Sequence, residues 1–103
     1  MATYRTVRPN NKPLAPTSAT ATSITNEGYT TITWTSIANL VGYAIIIQPL
    51  PSGVPIRNSA LPNATTITVG GLDPELTYTC SVYSVNDAGW SHPPANTDTI
   101  SGP

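Results

Sequence analysis

Short runs in which apolar and polar residues alternate follow one another along the chain, separated by Gly, Pro, Asn and Asp. A period of two is typical of β-strands with one buried face, because successive side chains point to opposite sides of a sheet. No stripe with the helical period competes, and Pro interrupts many of the windows where a helix could be placed. The pattern predicts an all-β domain with seven strands, near residues 17–25, 29–36, 40–48, 54–57, 64–70, 76–86 and 95–101.

The same alternation assigns each strand its two faces. It places Ile32 and Trp34 on the inner side of the second strand and the intervening threonines outside. On the other strands the predicted inner positions are Val41, Tyr43, Ile45, Ile47, Ile67, Val69, Tyr78, Cys80 and Val82. We therefore expect a core between two sheets.

Residues 1–16 show no sustained period and contain Pro9, Pro13 and Pro16. They are predicted to form an extended arm, and residues 17–103 the β-sandwich. Three of the four cations lie in this arm, at Arg5, Arg8 and Lys12. From residue 27 onward one arginine stands against five acids, so the body is acidic and we expect no nucleic acid to bind it.

Composition limits the class of protein further. At 103 residues, 39% hydrophobic and 9% charged, the chain is predicted to be one packed domain. A lone cysteine, Cys80, excludes an intrachain disulfide framework. The longest apolar stretch, Ala44 to Ile47, is far too short to span a membrane, and no secretory signal is recognised after Met1. We expect synthesis in the cytoplasm and no membrane partner.

Several motifs resemble the fibronectin type III domain over about residues 16–101. Pro16 precedes the first strand, Trp34 ends the run TITW, and Tyr43 of VGY opens the third strand. The most specific segment is GGLDPELTYTCSVYSVNDAGWS. It resembles the family pattern in which a Leu is followed by Pro two residues later and Tyr six residues later, followed by an N-x-x-G turn; the matching positions are Leu72, Pro74, Tyr78, Asn86 and Gly89.

The resemblance implies a seven-stranded, immunoglobulin-like Greek-key sandwich with the arm outside it. Tyr78 is the candidate for a tyrosine corner, with its ring in the core and its hydroxyl bonded to nearby backbone. The expected core residues are Trp34, Tyr43, Leu72, Tyr78 and Val82. No Arg-Gly-Asp tripeptide is present, so the integrin binding of some family members is not implied.

Residues suited to catalysis or metal binding are scarce. His92 is the only histidine and stands beside two prolines, while Cys80 alternates inward. Asp73 and Glu75 flank Pro74 in a predicted turn, where acids commonly serve solvation. Asn63 begins a glycosylation triplet, which carries no meaning without secretion. We predict no catalytic site, no metal, no cofactor and no small-molecule substrate.

Two regions are predicted to bind other proteins. Ile46, Tyr83 and Val85 point outward from the third and sixth strands and form an apolar patch if those strands are neighbours. Trp90 is either an exposed anchor or a cap over the prolines that follow it. In the arm, the candidate contacts are apolar Tyr4 and Val7 with basic Arg5, Arg8 and Lys12, which we expect to meet a neighbouring subunit.

The leading functional hypothesis is a non-catalytic accessory protein of a bacteriophage virion, such as a capsid decoration protein, docked on structural subunits or on copies of itself. It rests on fold-level analogy, since related modules occur as surface domains of phage capsid and tail proteins. The alternative is a spacer or binding module of a bacterial extracellular enzyme or adhesin. An engineered binder is a third hypothesis, which the loops do not favour because they lack aromatic residues apart from Trp90.

Overall fold

A computed structural model describes residues 12–102. Within that range the backbone forms strands and no helix, and the predicted all-β sandwich is confirmed. The strands are β1 (Ala19–Ala21), β2 (Thr30–Trp34), β3 (Gly42–Leu50), β4 (Ile56–Ala60), β5 (Thr66–Val69), β6 (Thr77–Asn86), β7 (Gly89–Trp90) and β8 (Ala95–Asn96).

The strands form two antiparallel sheets. The first has the order β1-β2-β5, and the second contains β4, β3 and β6 in that order, with β7 and β8 both paired to the remaining edge of β6. A bridge between Tyr78 and Ile100 continues this edge to the start of β6. The seventh predicted strand is thus interrupted, and its first segment, β7, begins before residue 95.

The side chains between the sheets form one core. Ile32 of the first sheet and Ile45 and Val82 of the second have no exposed surface. The rings of Trp34 and Tyr43 lie across the two sheets with centroids 5.1 Å apart and planes tilted by 55°. The structure buries all five of the expected core residues, Trp34, Tyr43, Leu72, Tyr78 and Val82.

One face assignment is wrong. Val41 was expected inside, yet its side chain is 57% exposed. The cause is the start of β3 at Gly42, which leaves Val41 in the preceding loop, where its N–H donates to the carbonyl of Val85 (2.8 Å). Alternation holds only within a strand, so the residue before it is free to turn outward.

The first predicted strand, residues 17–25, spans both sheets. Ala19–Ala21 pairs with β2, whereas the N–H of Ile24 donates to the carbonyl of Ser101 (2.8 Å), beside the last segment of the second sheet. At the other end, the amide of Thr17 donates to Oγ1 of Thr35 (2.7 Å). The chain therefore crosses from one sheet to the other in a single run.

Tyr78 forms the expected corner at one end of the sandwich. Its hydroxyl accepts a hydrogen bond from the N–H of Asp73 (2.8 Å), while its ring is buried. Gly28 lies against the same turn with φ of 90°, and a Cβ there would overlap the carbonyl oxygen of Leu72. The turn between β5 and β6 is thus fixed from both sides.

Candidate protein-docking face

The outward face of the second sheet has short side chains along β3 and larger ones beside them. Ala44 lies opposite Tyr83 of β6 and opposite Ser59 of β4. Gly42 lies opposite Val85. Residues that face each other in an antiparallel pair share one side of the sheet. A groove therefore runs along β3, between a β6 wall and a β4 wall.

Trp90 has the largest side chain on this face. β7 sets it opposite Val85, and its ring centroid is 5.1 Å from that of Tyr83, with the planes tilted by 50°. The indole is 43% exposed. Trp90 thus packs beside a second aromatic ring on the outward face. A half-exposed Trp supported in this way is typical of binding hot spots.

The groove, which we call the Trp90 groove, has a volume of about 460 Å³. Val85 and Trp90 line one side, Ser59 and Leu61 line the other, and Val41 lies in the lining as well. Leu61 is 72% exposed, so apolar surface continues beyond the groove. Contiguous exposed apolar surface of this kind marks contact sites on soluble proteins.

Three residues predicted as an outward patch do lie on one face. Ile46 lies opposite Ser81, two residues from Tyr83, and is therefore diagonal to that ring. Val85 follows Tyr83 on the same side of β6. All three side chains are half-buried rather than fully exposed. Each lies near Trp90: Tyr83 packs against its ring, Val85 lies opposite it, and Ile46 lines a pocket with it.

Ala44, which alternates with the buried Tyr43 and Ile45 and so faces outward, is almost covered. Tyr83 and Ser59 lie on either side of it, and Trp90 lines the same groove. A methyl group on the floor between taller neighbours loses most of its exposure without entering the core. Its small size is what gives the groove depth.

Among the arm residues predicted to bind a neighbour, only Lys12 lies within the described range; Tyr4, Arg5, Val7 and Arg8 lie outside it. The Cε of Lys12 is 3.3 Å from the position that a Cβ on Gly89 would occupy. Gly89 has φ of 133°, where other residues are strained. The exposed Lys12 thus lies beside Gly89, the residue before Trp90, and it is not among the residues that line the groove.

The sequence pattern did not predict that β4 forms one wall of the groove. Arg57 lies opposite Ile46, Ser59 lies opposite Ala44, and Leu61 extends the same alternation. The strand was predicted at 54–57, but it runs from Ile56 to Ala60. Pro55 just precedes it, and proline cannot donate a ladder hydrogen bond. If the strand is taken to begin after Pro55 with Ile56 facing inward, the alternation assigns Arg57, Ser59 and Leu61 to the outer face.

The outward face of the first sheet carries polar side chains, unlike the apolar outward face of the second sheet. Threonines fill it, and two cross-strand pairs join Oγ1 atoms, Thr31 to Thr68 (3.1 Å) and Thr33 to Thr66 (3.4 Å). These side chains are satisfied locally, and the exposed aromatic ring near this face, Tyr29, lies at its end against Gly70. The two faces of the sandwich therefore differ sharply in what they offer a partner.

Groups that could support catalysis are few in the described part of the chain. Burial raises the pKa of Cys80 from 9.0 to about 12, so its thiol stays protonated at neutral pH and is a poor nucleophile. His92 is exposed in the loop after β7. Across residues 12–102 no group of three or more His, Cys, Asp or Glu side chains is placed to hold a metal ion. No helix in this range has the length and apolar character needed to cross a membrane.

Comparison with known proteins agrees with this architecture. Solved structures similar to the chain include the FN1–FN3 domains of chicken CNTN1 (TM-score 0.73, 20% identity, 86% of this chain and 31% of that one). A two-domain fibronectin type III segment of chicken tenascin gives a TM-score of 0.75 at 20% identity, over 85% of this chain and 49% of that one.

A single-domain structure, the FN5 domain of Drosophila Lar, gives a TM-score of 0.68 at 21% identity, over 88% of this chain and 99% of that one. The chain thus spans about a third to a half of the multi-domain structures and nearly all of the single domain. No curated protein matches the sequence. The sequence matches the fibronectin type III domain family over residues 14–100, and the chain therefore belongs to that family.

Proposed function

We propose that this chain is a non-catalytic docking module that binds another protein through the Trp90 groove. Fibronectin type III domains are of a non-catalytic interaction or spacer type, which sets the broad class. The observation that carries the proposal is the exposed Trp90, packed against half-buried Tyr83 beside an apolar groove. Aromatic anchors in a pocket supply most of the affinity at protein interfaces.

The shape of the face supports a protein ligand. The lining is mostly apolar, and polar groups at its edge, Arg57 and Ser59, can orient a partner. That arrangement of apolar centre and polar rim is usual for protein interfaces. At the threonine face of the first sheet the exposed aromatic residue is Tyr29, which within residues 12–102 has no second ring packed against it as Trp90 has.

In its finer form, the proposal makes the module an accessory protein of a bacteriophage particle, docked on neighbouring structural subunits. Its support is the fold-level analogy with modules on phage capsid and tail proteins, together with a chain low in charge. Mass spectrometry of purified particles is the test. We expect the chain at a fixed copy number relative to the major structural subunit, and its absence from intact particles would refute the virion role.

A second candidate is a spacer or binding module within an extracellular enzyme or adhesin. It is favoured by the similarity to structures in which such modules stand in series, since the chain spans only 31% and 49% of two of them. This role and the virion role use the same docking face. They differ in whether the module belongs to a virus particle or to a larger extracellular protein.

Position-specific photo-cross-linking tests the docking face directly. A photo-reactive amino acid replaces Leu61, which is exposed at the edge of the groove, or Thr33, which is exposed on the first sheet. We expect protein adducts from position 61 and only background from position 33 when the chain is irradiated in its producing cells. Equal adduct yields at both positions would refute the proposal.

A further inference from the structure

The distribution of charge along the sandwich identifies a partner for the Trp90 groove. We infer that the groove binds the turn between β5 and β6 of a second copy of this chain, so that copies associate head to tail. This inference rests on the proposed docking function and specifies one occupant for the same face.

Arg57 is the charged residue among those that line the groove and its continuation along β3. It lies on the β4 wall, opposite Ile46. One acid, Asp87, is present in the adjacent turn between β6 and β7, outside the lining. The wall of the groove is therefore positive on an otherwise apolar surface, and it favours an acidic partner with apolar groups.

The opposite end of the sandwich carries the complementary surface. Asp73 and Glu75 lie in the turn that leads into β6, and Gly28 of the turn containing Glu27 packs against Leu72. Asp98 lies just before Ile100, which bridges to Tyr78 at the start of β6. Four of the five acids thus gather at this end.

The turn between β5 and β6 is held in one conformation and has an apolar tip. The N–H of Glu75 donates to Oδ1 of Asp73 (2.9 Å), and the N–H of Leu76 donates to the carbonyl of Asp73 (3.0 Å). The N–H of Asp73 in turn donates a hydrogen bond to the hydroxyl of Tyr78. Leu76 is 41% exposed and supplies an apolar group for the groove. A fixed turn loses little conformational entropy on binding.

The groove and the acidic turn cannot meet within one chain. Val85 lies at the groove end of β6 and Thr77 at the acidic end. They are eight positions apart along the strand, which is about 27 Å at the usual rise of a β-strand. The two surfaces are different and lie at opposite ends, so contact between copies repeats without closing and produces short chains of copies.

Light scattering coupled to size-exclusion chromatography measures this association in purified full-length protein. At low ionic strength we expect the average mass to rise with protein concentration, and to fall toward the monomer as salt screens the charges. Arg57→Glu and Glu75→Arg should each weaken association by roughly tenfold or more, because each sets like charges against one another. Thr33→Glu and Thr33→Arg, on the first sheet, are the matched controls and should leave it unchanged.

Charge exchange is the decisive arm of the experiment. Mixing the Arg57→Glu and Glu75→Arg proteins should restore association. In the mixture, the groove of the first variant is acidic at position 57 and binds the turn of the second variant, which is basic at position 75. The groove of the second variant and the turn of the first keep their original residues, so they also bind each other. A monomer at every concentration in low salt, or no recovery on mixing, overturns the inference.

The cross-linking result separates this inference from the broader proposal. If position 61 cross-links to a different protein while the chain stays monomeric, the docking face stands and the self-association fails. If position 61 gives no adduct to any protein, including a second copy, both fail.

Discussion

Trp34 and Trp90 occupy opposite environments within one domain. Trp34 is 3% exposed and packs against Tyr43, whereas Trp90 is 43% exposed and contacts Tyr83 on the surface. Truncating a buried aromatic leaves a cavity, while truncating an exposed one mostly removes a surface contact. The two residues should therefore separate stability from binding.

We expect Trp34→Ala to lower the free energy of unfolding by about 3–5 kcal/mol, the usual cost of a large cavity. Trp90→Ala should cost about 1 kcal/mol, the value of an exposed aromatic pair. Urea denaturation followed by circular dichroism measures both. Equal losses for the two variants would contradict the assignment of faces.

Cys80 makes the stability depend on pH in the alkaline range. Its pKa is raised by burial from 9.0 to about 12, so the folded state keeps the proton that the unfolded state releases. The contribution is complete below pH 9.0 and is lost as the pH rises toward 12. We expect the urea midpoint to fall above pH 9.0, and to fall less steeply in Cys80→Ala. Identical slopes would show that other groups cause the alkaline loss.

At the scale of the element, the turn between β5 and β6 is the best-defined local structure. The hydroxyl of Tyr78 accepts the N–H of Asp73, and no strand partner is available to that amide inside the turn. Removing the hydroxyl leaves a part-buried donor without its acceptor.

Tyr78→Phe should therefore lower the free energy of unfolding by about 1–3 kcal/mol, the range for an unsatisfied buried group. Its ring stays in the core, so the fold should persist. Tyr83→Phe is the matched control, because that ring is half-buried on the outward face and has its partner in Trp90. If the two variants lose the same free energy of unfolding, the hydrogen bond between Asp73 and the Tyr78 hydroxyl does not stabilise the fold as argued.

The sequence predicts those elements whose alternation is long and unbroken. β2, β3 and β6 carry clear alternation, and Trp34, Ile45 and Val82 lie inside as expected. Prediction failed where strand ends decide the face, as at Val41, whose position depends on a hydrogen bond to Val85, far away in sequence. Local patterns contain no information about such long-range pairing.

The residues that form the proposed docking face were foreseen only in part, and the reason is again the pairing between strands. Tyr83, Val85 and Ile46 follow from the period of their own strands, and Trp90 from its lack of an evident core position. Leu61 and Arg57 depend on where β4 begins, and the depth of the groove depends on Ala44 and Gly42 facing larger residues on neighbouring strands. Those relations require the register between strands, which the sequence alone does not provide.

The whole molecule combines a rigid sandwich with two unlike outer faces and two unlike ends. The first sheet presents threonines that are bonded to one another, and the second presents an aromatic pair and an apolar groove. Four acids gather at one end, and Arg57 lies on the β4 wall of the groove. These unlike faces fit the proposed docking function, while the core supplies stability.

The most direct test of this account is the yield of the position 61 cross-link in the Trp90→Ala variant relative to the unsubstituted Trp90 protein. Loss of a hot-spot side chain costs at least about 2 kcal/mol of binding, so we expect the yield below saturation to fall by roughly thirtyfold while the variant remains folded. Tyr29→Ala, an exposed aromatic outside the groove, should leave the yield unchanged. An undiminished cross-link in folded Trp90→Ala protein would contradict the claim that this groove is the docking site.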